Sequence, residues 1–262
     1  MNLTVDGKVV HAATGGRDFD PALPAIVFVH GAGMDHTVWA LQARYFAHRG
    51  RAVLAVDLPG HGHSAGPALA SIEVIADWLA ALIAAAGLES AALAGHSMGA
   101  LAALACAARH PKRVRTLALL GVAPSMPVHP DLLAAAQAND HRAFDLVTDW
   151  GHGAAAHLGH HPAPGLWLMG GAEALLERCA PGVLHNDLAA CNAYQDAEAA
   201  AAKVTCPTLL VLGADDRMTP AKAGQKLAAI IPGAQCVVIP EAGHMMMSEA
   251  ADATLDALKT IF

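Results

Sequence analysis

Aromatic and charged residues are both scarce in this sequence. Only 4% of the 262 residues are aromatic and 15% are charged, whereas 55% are hydrophobic. So large a hydrophobic share excludes a wholly disordered chain. The length suits one large domain, or two small ones, with a buried core. Much of the hydrophobic share is alanine, which favours helices, so we expect a helix-rich globular protein.

Long runs of basic residues and long runs of apolar residues are also absent. The largest basic group is Lys112-Arg113 with Arg115, and 16 basic residues stand against 23 acidic ones, a net charge of −7 at pH 7. Nucleic-acid-binding proteins usually present a basic face, so we expect no nucleic-acid partner. No apolar stretch reaches the roughly 18 residues of a membrane span, and the first residues lack the pattern of a signal peptide. We therefore expect no membrane association.

The cysteines form no C-x-x-C motif. There are five of them, an odd number, and they are scattered along the chain. Such a pattern favours reduced thiols over a disulfide framework. We accordingly predict a cytoplasmic protein.

Six short apolar runs predict buried strands of a parallel sheet. They are rich in Val, Ile, Leu and Ala and mostly do not alternate with polar residues. Segments with helical periodicity separate them, so we expect an α/β fold, a mostly parallel sheet with helices on both faces. Residues 1–13 predict a leading hairpin that turns at Asp6-Gly7. The six runs are Ala25–Val29, Ala52–Val56, Ala91–Ala94, Thr116–Leu120, Thr208–Leu212 and Cys236–Ile239.

Residues 124–203 break this alternation of strand and helix. They contain helical segments but no convincing strand, and a bend rich in Gly, His and Pro divides them at 159–165. A helical insertion after one strand of such a sheet is most simply a lid; the alternative is a continuation of the core. We predict a core of residues 1–123 and 204–262 and a helical lid of residues 124–203.

The sharpest chemical signal is Gly95-His96-Ser97-Met98-Gly99, a G-x-S-x-G motif between a predicted strand and a predicted helix. The glycines permit a strained turn that exposes the serine hydroxyl above the sheet. The helix N-terminus then directs backbone N–H groups at an oxyanion formed there. Ser97 is therefore predicted to be a nucleophile; the alternative is a serine that only caps the helix.

A serine nucleophile requires a base and a carboxylate. His244 follows the predicted strand Cys236–Ile239, at the edge of the sheet where open α/β folds bind ligands. Asp215 and Asp216 follow the predicted strand Thr208–Leu212 and offer two carboxylates. The order Ser, Asp, His is then complete.

Together these motifs make the chain similar to the α/β-hydrolase fold family, in its lidded, esterase-like branch. Gly213-x-x-Asp216-x-x-Thr219-Pro220 resembles the acid loop of that family, which favours Asp216 over Asp215. Asp57-Leu58-Pro59-Gly60-His61-Gly62-His63-Ser64 matches a D-x-P-G-x-G-x-S loop that is mostly architectural in the family, so Asp57, His61 and His63 are interpreted as structural.

The same resemblance implies an oxyanion hole. His30-Gly31-Ala32-Gly33 is similar to the H-G-x-G loop of the family, which maps the two N–H donors to Ala32 and Met98. Gly31 and Gly33 let the backbone approach a substrate. His30 is interpreted as an organiser of the loop and not as a catalyst.

Further residues are assigned by position and type. Trp167, in the predicted lid, and Met245, beside His244, are predicted to line the substrate pocket; a tryptophan that only attaches the lid to the core is the alternative. Four histidines at 152, 157, 160 and 161 invite a metal interpretation, but no carboxylate lies within their Gly/Pro-rich bend, so we predict exposed histidines and no metal.

These assignments predict a serine hydrolase that cleaves a carboxylic ester through an acyl-enzyme, with Ser97, His244 and Asp216 as its triad and no cofactor. The expected partner is a small acyl substrate. The same triad acting on a carbon–carbon bond, a lactone, an amide or in perhydrolysis is an alternative. A ligand-binding protein of this fold that has lost turnover is another.

Overall fold

An eight-stranded sheet lies at the centre of the computed structural model, which describes residues 1–159 and 165–262. The order across the sheet is β1-β2-β4-β3-β5-β6-β7-β8. The first three strands in this order pair antiparallel, and the others pair parallel. The strands are β1 (Asn2–Val5), β2 (Lys8–Ala13), β3 (Ala25–Val29), β4 (Ala52–Val56), β5 (Ala91–His96), β6 (Val114–Leu120), β7 (Thr208–Gly213) and β8 (Gln235–Ile239).

Helices cover both faces of this sheet. A 3₁₀ turn (His36–Trp39), α1 (Ala40–Ala47), α2 (Ile72–Ala85) and α3 (Met98–Arg109) belong to the first half of the chain. After β6 come α4 (Pro130–Gln137), α5 (Arg142–Gly151), α6 (Ala154–His157), α7 (Leu168–Leu176), α8 (Val183–Ala193) and α9 (Ala197–Ala201). The chain ends with α10 (Ala221–Ile230), α11 (Met246–Glu249) and α12 (Ala251–Leu258).

Two hydrophobic cores result from the alternation of side chains along each strand. In β3, Val27 and Val29 pack into the core shared with α2, α3 and α10. Ile26 and Phe28 of the same strand pack into the core shared with α1 and α12. All four side chains are fully buried, which explains why this strand is apolar throughout.

The predicted mostly parallel sheet and the leading hairpin are confirmed, but the C-terminal part differs from expectation. β8 is the edge strand, and Val237 and Val238 are exposed there, although we expected a buried strand. Residues 246–258 also do not form one continuous helix. Ala250 has φ −135° and ψ 56°, so α11 and α12 are separate helices.

The helices between β6 and β7, α4 to α9, are called here the insertion helices. No strand lies between β6 and β7 in the described ranges, which end at residue 159 and resume at 165. The insertion helices have a small core of their own, in which Leu132, Val147 and Leu188 are buried. Residues 160–164 of the predicted bend lie outside the described residues. The division into a core and a lid with boundaries at 124 and 203 stays a prediction.

Across residues 1–159 and 165–262, no helix is both long enough and apolar enough to cross a membrane. All five cysteines are free thiols, as expected.

Candidate active site

Ser97 lies on the sharp turn between β5 and α3. Its backbone has φ 53° and ψ −118°, a left-handed conformation that is rare for a residue with a side chain. The turn is held by the Ser97 N–H, which donates to the Leu120 carbonyl at 2.9 Å. Such strain is characteristic of functional sites, because the surrounding structure has to maintain it.

Close packing of the backbone explains why glycine is required at positions 95 and 99 of the motif. A Cβ on Gly95 would overlap the backbone of Gly99, and a Cβ on Gly99 would lie 2.5 Å from the carbonyl oxygens of Val29 and His30. The strand, the turn and the helix therefore approach each other as closely as the G-x-S-x-G pattern predicts.

His244 and Asp216 form a buried pair at the same edge of the sheet. The Asp216 Oδ2 atom lies 2.8 Å from Nδ1 of His244. Since a carboxylate oxygen can only accept, the hydrogen of the neutral ring sits on Nδ1, and Nε2 carries a lone pair. Nε2 is buried and has no hydrogen-bond partner among the described residues.

Thr219 completes the environment of the carboxylate. Its N–H donates to Asp216 Oδ1 at 2.7 Å and its hydroxyl to Oδ2 at 2.7 Å, and the Met218 N–H also donates to Oδ1 at 2.9 Å. Burial by itself raises the pKa of Asp216, but the charge and hydrogen bond of His244 and the donors of Thr219 outweigh it. The pKa therefore lies below its ordinary value, and Asp216 is a carboxylate at neutral pH.

Gly121, which follows β6, lets His244 reach its position. A Cβ on this glycine would lie 2.9 Å from Cε1 of His244. His96 also packs against that ring, with centroids 4.7 Å apart, and its Nε2 lies 2.9 Å from the His244 carbonyl oxygen. His96 and Gly121 were not predicted as site residues.

Ser97 and His244 both face one cavity of about 370 Å³. Loops at the carboxyl edge of the sheet form its floor, and α4, α5, α7 and α8 contribute the apolar walls. The floor includes Ala32, Met34, Met218 and Met245, and the walls include Leu132, Val147, Trp150, Leu176, Leu184 and Leu188. An apolar cavity with a few convergent polar groups is the usual form of a small-molecule site.

The predicted oxyanion donors flank this cavity. Ala32 lines it, and Met98 begins α3 directly after Ser97. Among the described residues, neither the Ala32 N–H nor the Met98 N–H has a hydrogen-bond acceptor. The loop before them is fixed by His30, whose Nε2 accepts the Leu58 N–H at 3.1 Å. His30 therefore donates from Nδ1 to the Gly31 carbonyl, at 2.8 Å, and organises the loop as expected.

The predicted pocket residues are only partly brought together. Met245 lines the cavity, whereas Gly31 and Gly33 do not; their neighbours Ala32 and Met34 line it instead. The prediction for Trp167 is wrong for this cavity, because its side chain is 69% exposed and lies over the first turn of α7, against Gly170.

Asp187 of α8 is the most consequential residue that sequence analysis missed. Its Oδ2 accepts the Gly33 N–H at 2.9 Å and lies 2.8 Å from Nε2 of His61. One buried carboxylate thus ties an insertion helix to the loop that carries Ala32. Its partners lie 126 and 154 positions away in the chain, so no local pattern indicates the contact.

The histidines considered for a metal in the predicted lid are arranged differently from expectation. His152 is buried, not exposed, and lies 2.8 Å from the Thr148 carbonyl oxygen through Nδ1. His157 is exposed, as expected, and residues 160 and 161 lie outside the described residues. Neither His152 nor His157 belongs to a potential metal-binding group among the residues that the structure describes.

Comparison with known proteins agrees with this geometry. The alpha/beta hydrolase family matches residues 26–257, and the chain therefore belongs to that family. A pimeloyl-[acyl-carrier protein] methyl ester esterase of Chromobacterium violaceum is 34% identical over 233 residues, 84% of this chain and 87% of its own. A provisionally named carbamate hydrolase, RutD, of Klebsiella pneumoniae subsp. pneumoniae is 30% identical over 246 residues, 88% of each chain.

Solved structures show the same fold. The enol-lactonase from Burkholderia xenovorans LB400 superimposes with a TM-score of 0.85, over 99% of this chain and 98% of its own, at 24% identity. A thermophilic esterase superimposes with a TM-score of 0.79, over 99% of this chain and 95% of its own, at 27% identity. Family membership and these relatives support hydrolase activity.

Proposed function

We propose that this protein is a serine hydrolase that cleaves a carboxylic ester, with Ser97 as nucleophile, His244 as base and Asp216 as the acid of the triad. The observation that carries the proposal is the unpartnered, buried Nε2 of His244, a residue that lines the same cavity as Ser97. A buried lone pair without a donor is unfavourable unless a ligand or a reacting group supplies one. The hydroxyl of Ser97 is such a group.

In the acylation step, the Ser97 Oγ attacks the carbonyl carbon while its proton moves to Nε2 of His244. The carbonyl oxygen becomes an oxyanion, and the free N–H groups of Ala32 and Met98 stabilise it. The carbon–oxygen bond to the alcohol then breaks, and the alkoxide takes the proton from His244. Asp216 holds the ring in the required tautomer and stabilises the imidazolium.

Hydrolysis of the acyl-enzyme repeats these steps with water. Nε2 of His244 accepts a proton from water, whose oxygen attacks the acyl carbon. The second tetrahedral intermediate collapses as the Ser97 Oγ leaves and recovers its proton. The products are a carboxylic acid, an alcohol and the free enzyme. Every group that these steps require belongs to the chain or to the solvent.

A fluorophosphonate probe tests the nucleophile directly. We expect one equivalent to label the wild type at Ser97, as read by intact mass and peptide mapping, and none to label Ser97→Ala. On p-nitrophenyl butyrate, Ser97→Ala should lose about 10⁴- to 10⁶-fold in kcat with an unchanged circular dichroism spectrum. Labelling at another residue, or activity within tenfold of the wild type, would exclude this assignment.

The carbamate hydrolase named among the relatives supports a second substrate class for the same residues. A carbamate would carbamoylate Ser97 through the same attack, with a slower second step. Parallel kcat/KM measurements on a p-nitrophenyl ester and on the matching N-alkyl carbamate decide between the two classes. If neither is hydrolysed, while substrates of both classes bind the cavity, the protein is a ligand-binding member of the fold.

The cavity also predicts which acyl groups are accepted. Its walls are apolar and Trp150 is among them, so we propose a small or medium apolar acyl group. Trp150→Ala should shift the optimum toward longer esters, with up to about 0.8 kcal/mol, or roughly fourfold in kcat/KM, for each added methylene. Trp167→Ala is the matched control, because its exposed ring lies outside the cavity. The measurement is kcat/KM from acetate to octanoate esters; an unchanged profile in Trp150→Ala would contradict the proposal.

A further inference from the structure

Three histidines from separate parts of the chain meet at the surface, outside the cavity that contains Ser97. His11 lies on β2, His36 begins the 3₁₀ turn that follows β3, and His63 lies in the loop after β4. The ring centroid of His11 is 5.1 Å from that of His36 and 5.1 Å from that of His63, and the other two are 6.1 Å apart. We call this group the His11–His36–His63 cluster.

Two of the three rings already have a defined donor nitrogen. Nδ1 of His36 lies 2.8 Å from Oδ1 of Asp57, and Nδ1 of His11 lies 3.2 Å from Oδ1 of Asn2. Both partners are oxygens that accept, so each Nδ1 carries a hydrogen and each neutral ring has its lone pair on Nε2. A histidine that binds a metal typically donates its other ring N–H to a carboxylate or carbonyl oxygen in the same way.

Asp57 also supplies the charge that a cation requires. This carboxylate is buried and, besides His36, accepts the backbone N–H groups of His36 and His63. Its position behind the rings places a negative charge beside the cluster. His11, His36 and Asp57 each have a potential ligand atom, and these atoms lie within 4.8 Å of one another. His63 does not belong to this group as its side chain stands, so it has to rotate toward the other two rings to become a ligand.

The ring spacing agrees with coordination to one ion. With tetrahedral geometry and Zn–N bonds of about 2.0–2.1 Å, two coordinated imidazoles have centroids about 5 Å apart. Two of the three distances have this value, and the third exceeds it by about 1 Å. His63 is exposed and its ring makes no hydrogen bond with a described residue, so a rotation of its side chain can close the difference.

We propose that the His11–His36–His63 cluster binds one divalent transition-metal ion, with Zn²⁺ as the ion that this ligand set fits. Three imidazoles hold it, Asp57 orients His36 and contributes charge, and solvent takes the remaining position. The ion would join β2 to the loops that follow β3 and β4. This proposal does not depend on the activity of Ser97, because none of the three histidines lines the cavity that contains Ser97.

The test is a Co²⁺ titration of the full-length, untagged, chelator-treated protein at about pH 8, above the ordinary pKa of an imidazole. We expect one equivalent of Co²⁺ to give the visible absorption bands of a tetrahedral site, and one equivalent of Zn²⁺ to displace it. His63→Ala and His11→Ala should each weaken the affinity by about tenfold or more. His48→Ala, an exposed histidine outside the cluster, is the matched control and should leave the affinity unchanged.

Two results would overturn the proposal. One is the absence of a saturable one-to-one site in the wild type. The other is equal affinity in the wild type and in the His11→Ala/His63→Ala double variant, which would place the ion elsewhere. Circular dichroism spectra and thermal melts show whether each variant is folded, so a loss of metal binding is distinguishable from a loss of structure.

Discussion

Two buried histidine–aspartate pairs lie near the cavity, and they differ in what the second ring nitrogen does. In both pairs a ring nitrogen lies 2.8 Å from a carboxylate oxygen. His244, paired with Asp216, leaves Nε2 without a partner. His61, paired with Asp187 through Nε2, has its Nδ1 3.1 Å from the Pro59 carbonyl oxygen.

This difference separates a ring that can act as the proposed base from a ring in a structural ion pair. Both partners of the His61 ring are acceptors, so both of its nitrogens carry hydrogens and the ring is an imidazolium. Burial lowers the pKa of His61, but the hydrogen bond and charge of Asp187 outweigh it and the pKa lies above its ordinary value. A ring whose two nitrogens both carry hydrogens cannot accept a proton. The His244 ring can, because its Nε2 has a lone pair. Burial and a carboxylate partner therefore do not by themselves identify a base.

The largest expected effect is the loss of activity when the pair of Asp216 and His244 is disrupted. Asp216→Asn should reduce kcat by about 10⁴-fold, because the amide can donate to Nδ1 and favour the wrong tautomer of His244. Asp215→Asn is the matched control; this neighbouring carboxylate is exposed and makes no hydrogen bond to His244. Steady-state kinetics on one p-nitrophenyl ester is the measurement. Equal losses in the two variants would reject Asp216 as the specific partner.

A stability loss is expected instead from the Asp187 pair. Asp187→Ala leaves the Gly33 N–H and a charged His61 ring without their acceptor, and removal of one member of a buried pair costs about 3–5 kcal/mol. Asp145→Ala removes the carboxylate of an exposed histidine–aspartate pair at the start of α5 and should leave the free energy of unfolding nearly unchanged. Urea denaturation gives the free energy of unfolding of both variants. Similar decreases in the two would show that burial does not make the Asp187 pair more important for stability than an exposed pair.

A change in pH should have a smaller effect on the free energy of unfolding. The raised pKa of His61 means that the pair contributes its full stabilisation below about pH 6.5, the ordinary histidine value, and loses it as pH rises through the folded-state pKa. Asp187→Asn removes the charge but keeps an acceptor for Gly33. The stability difference between wild type and Asp187→Asn should therefore shrink as the pH rises from about 6 to about 9. A difference that grows with pH would mean that His61 is neutral in the wild type.

The parts of the fold that sequence predicts best are those that local chemistry determines. The predicted bounds of β3 and β4 agree with the structure, since both strands are buried on both faces and therefore apolar throughout. The turn at Asp6-Gly7 agrees because both residues require positive φ, 49° and 76°. The G-x-S-x-G turn belongs to the same group.

Features that depend on distant contacts were not predictable in this way. The break at Ala250 accompanies Glu249, whose carboxylate accepts the Met245 N–H at 3.0 Å and the Gly153 N–H at 2.7 Å. The hydrophobicity of Trp150 and Trp167 does not reveal that only the first points into the cavity. The apolar sequence of β8 predicts a buried strand, and nothing in it indicates that the strand lies at the edge of the sheet.

The bonds from Asp187 and Glu249 limit how the insertion helices can be exchanged between relatives. Asp187 anchors α8 to Gly33, and Glu249 anchors Gly153, beside α5, to the residue after His244. A chimera that receives another helical segment between β6 and β7 inherits a buried imidazolium at His61 without its counter-ion and a backbone N–H at Gly33 without its acceptor. Transplantation of substrate specificity therefore requires that the donor segment bring a carboxylate at the position of Asp187, whatever residues it places in the cavity.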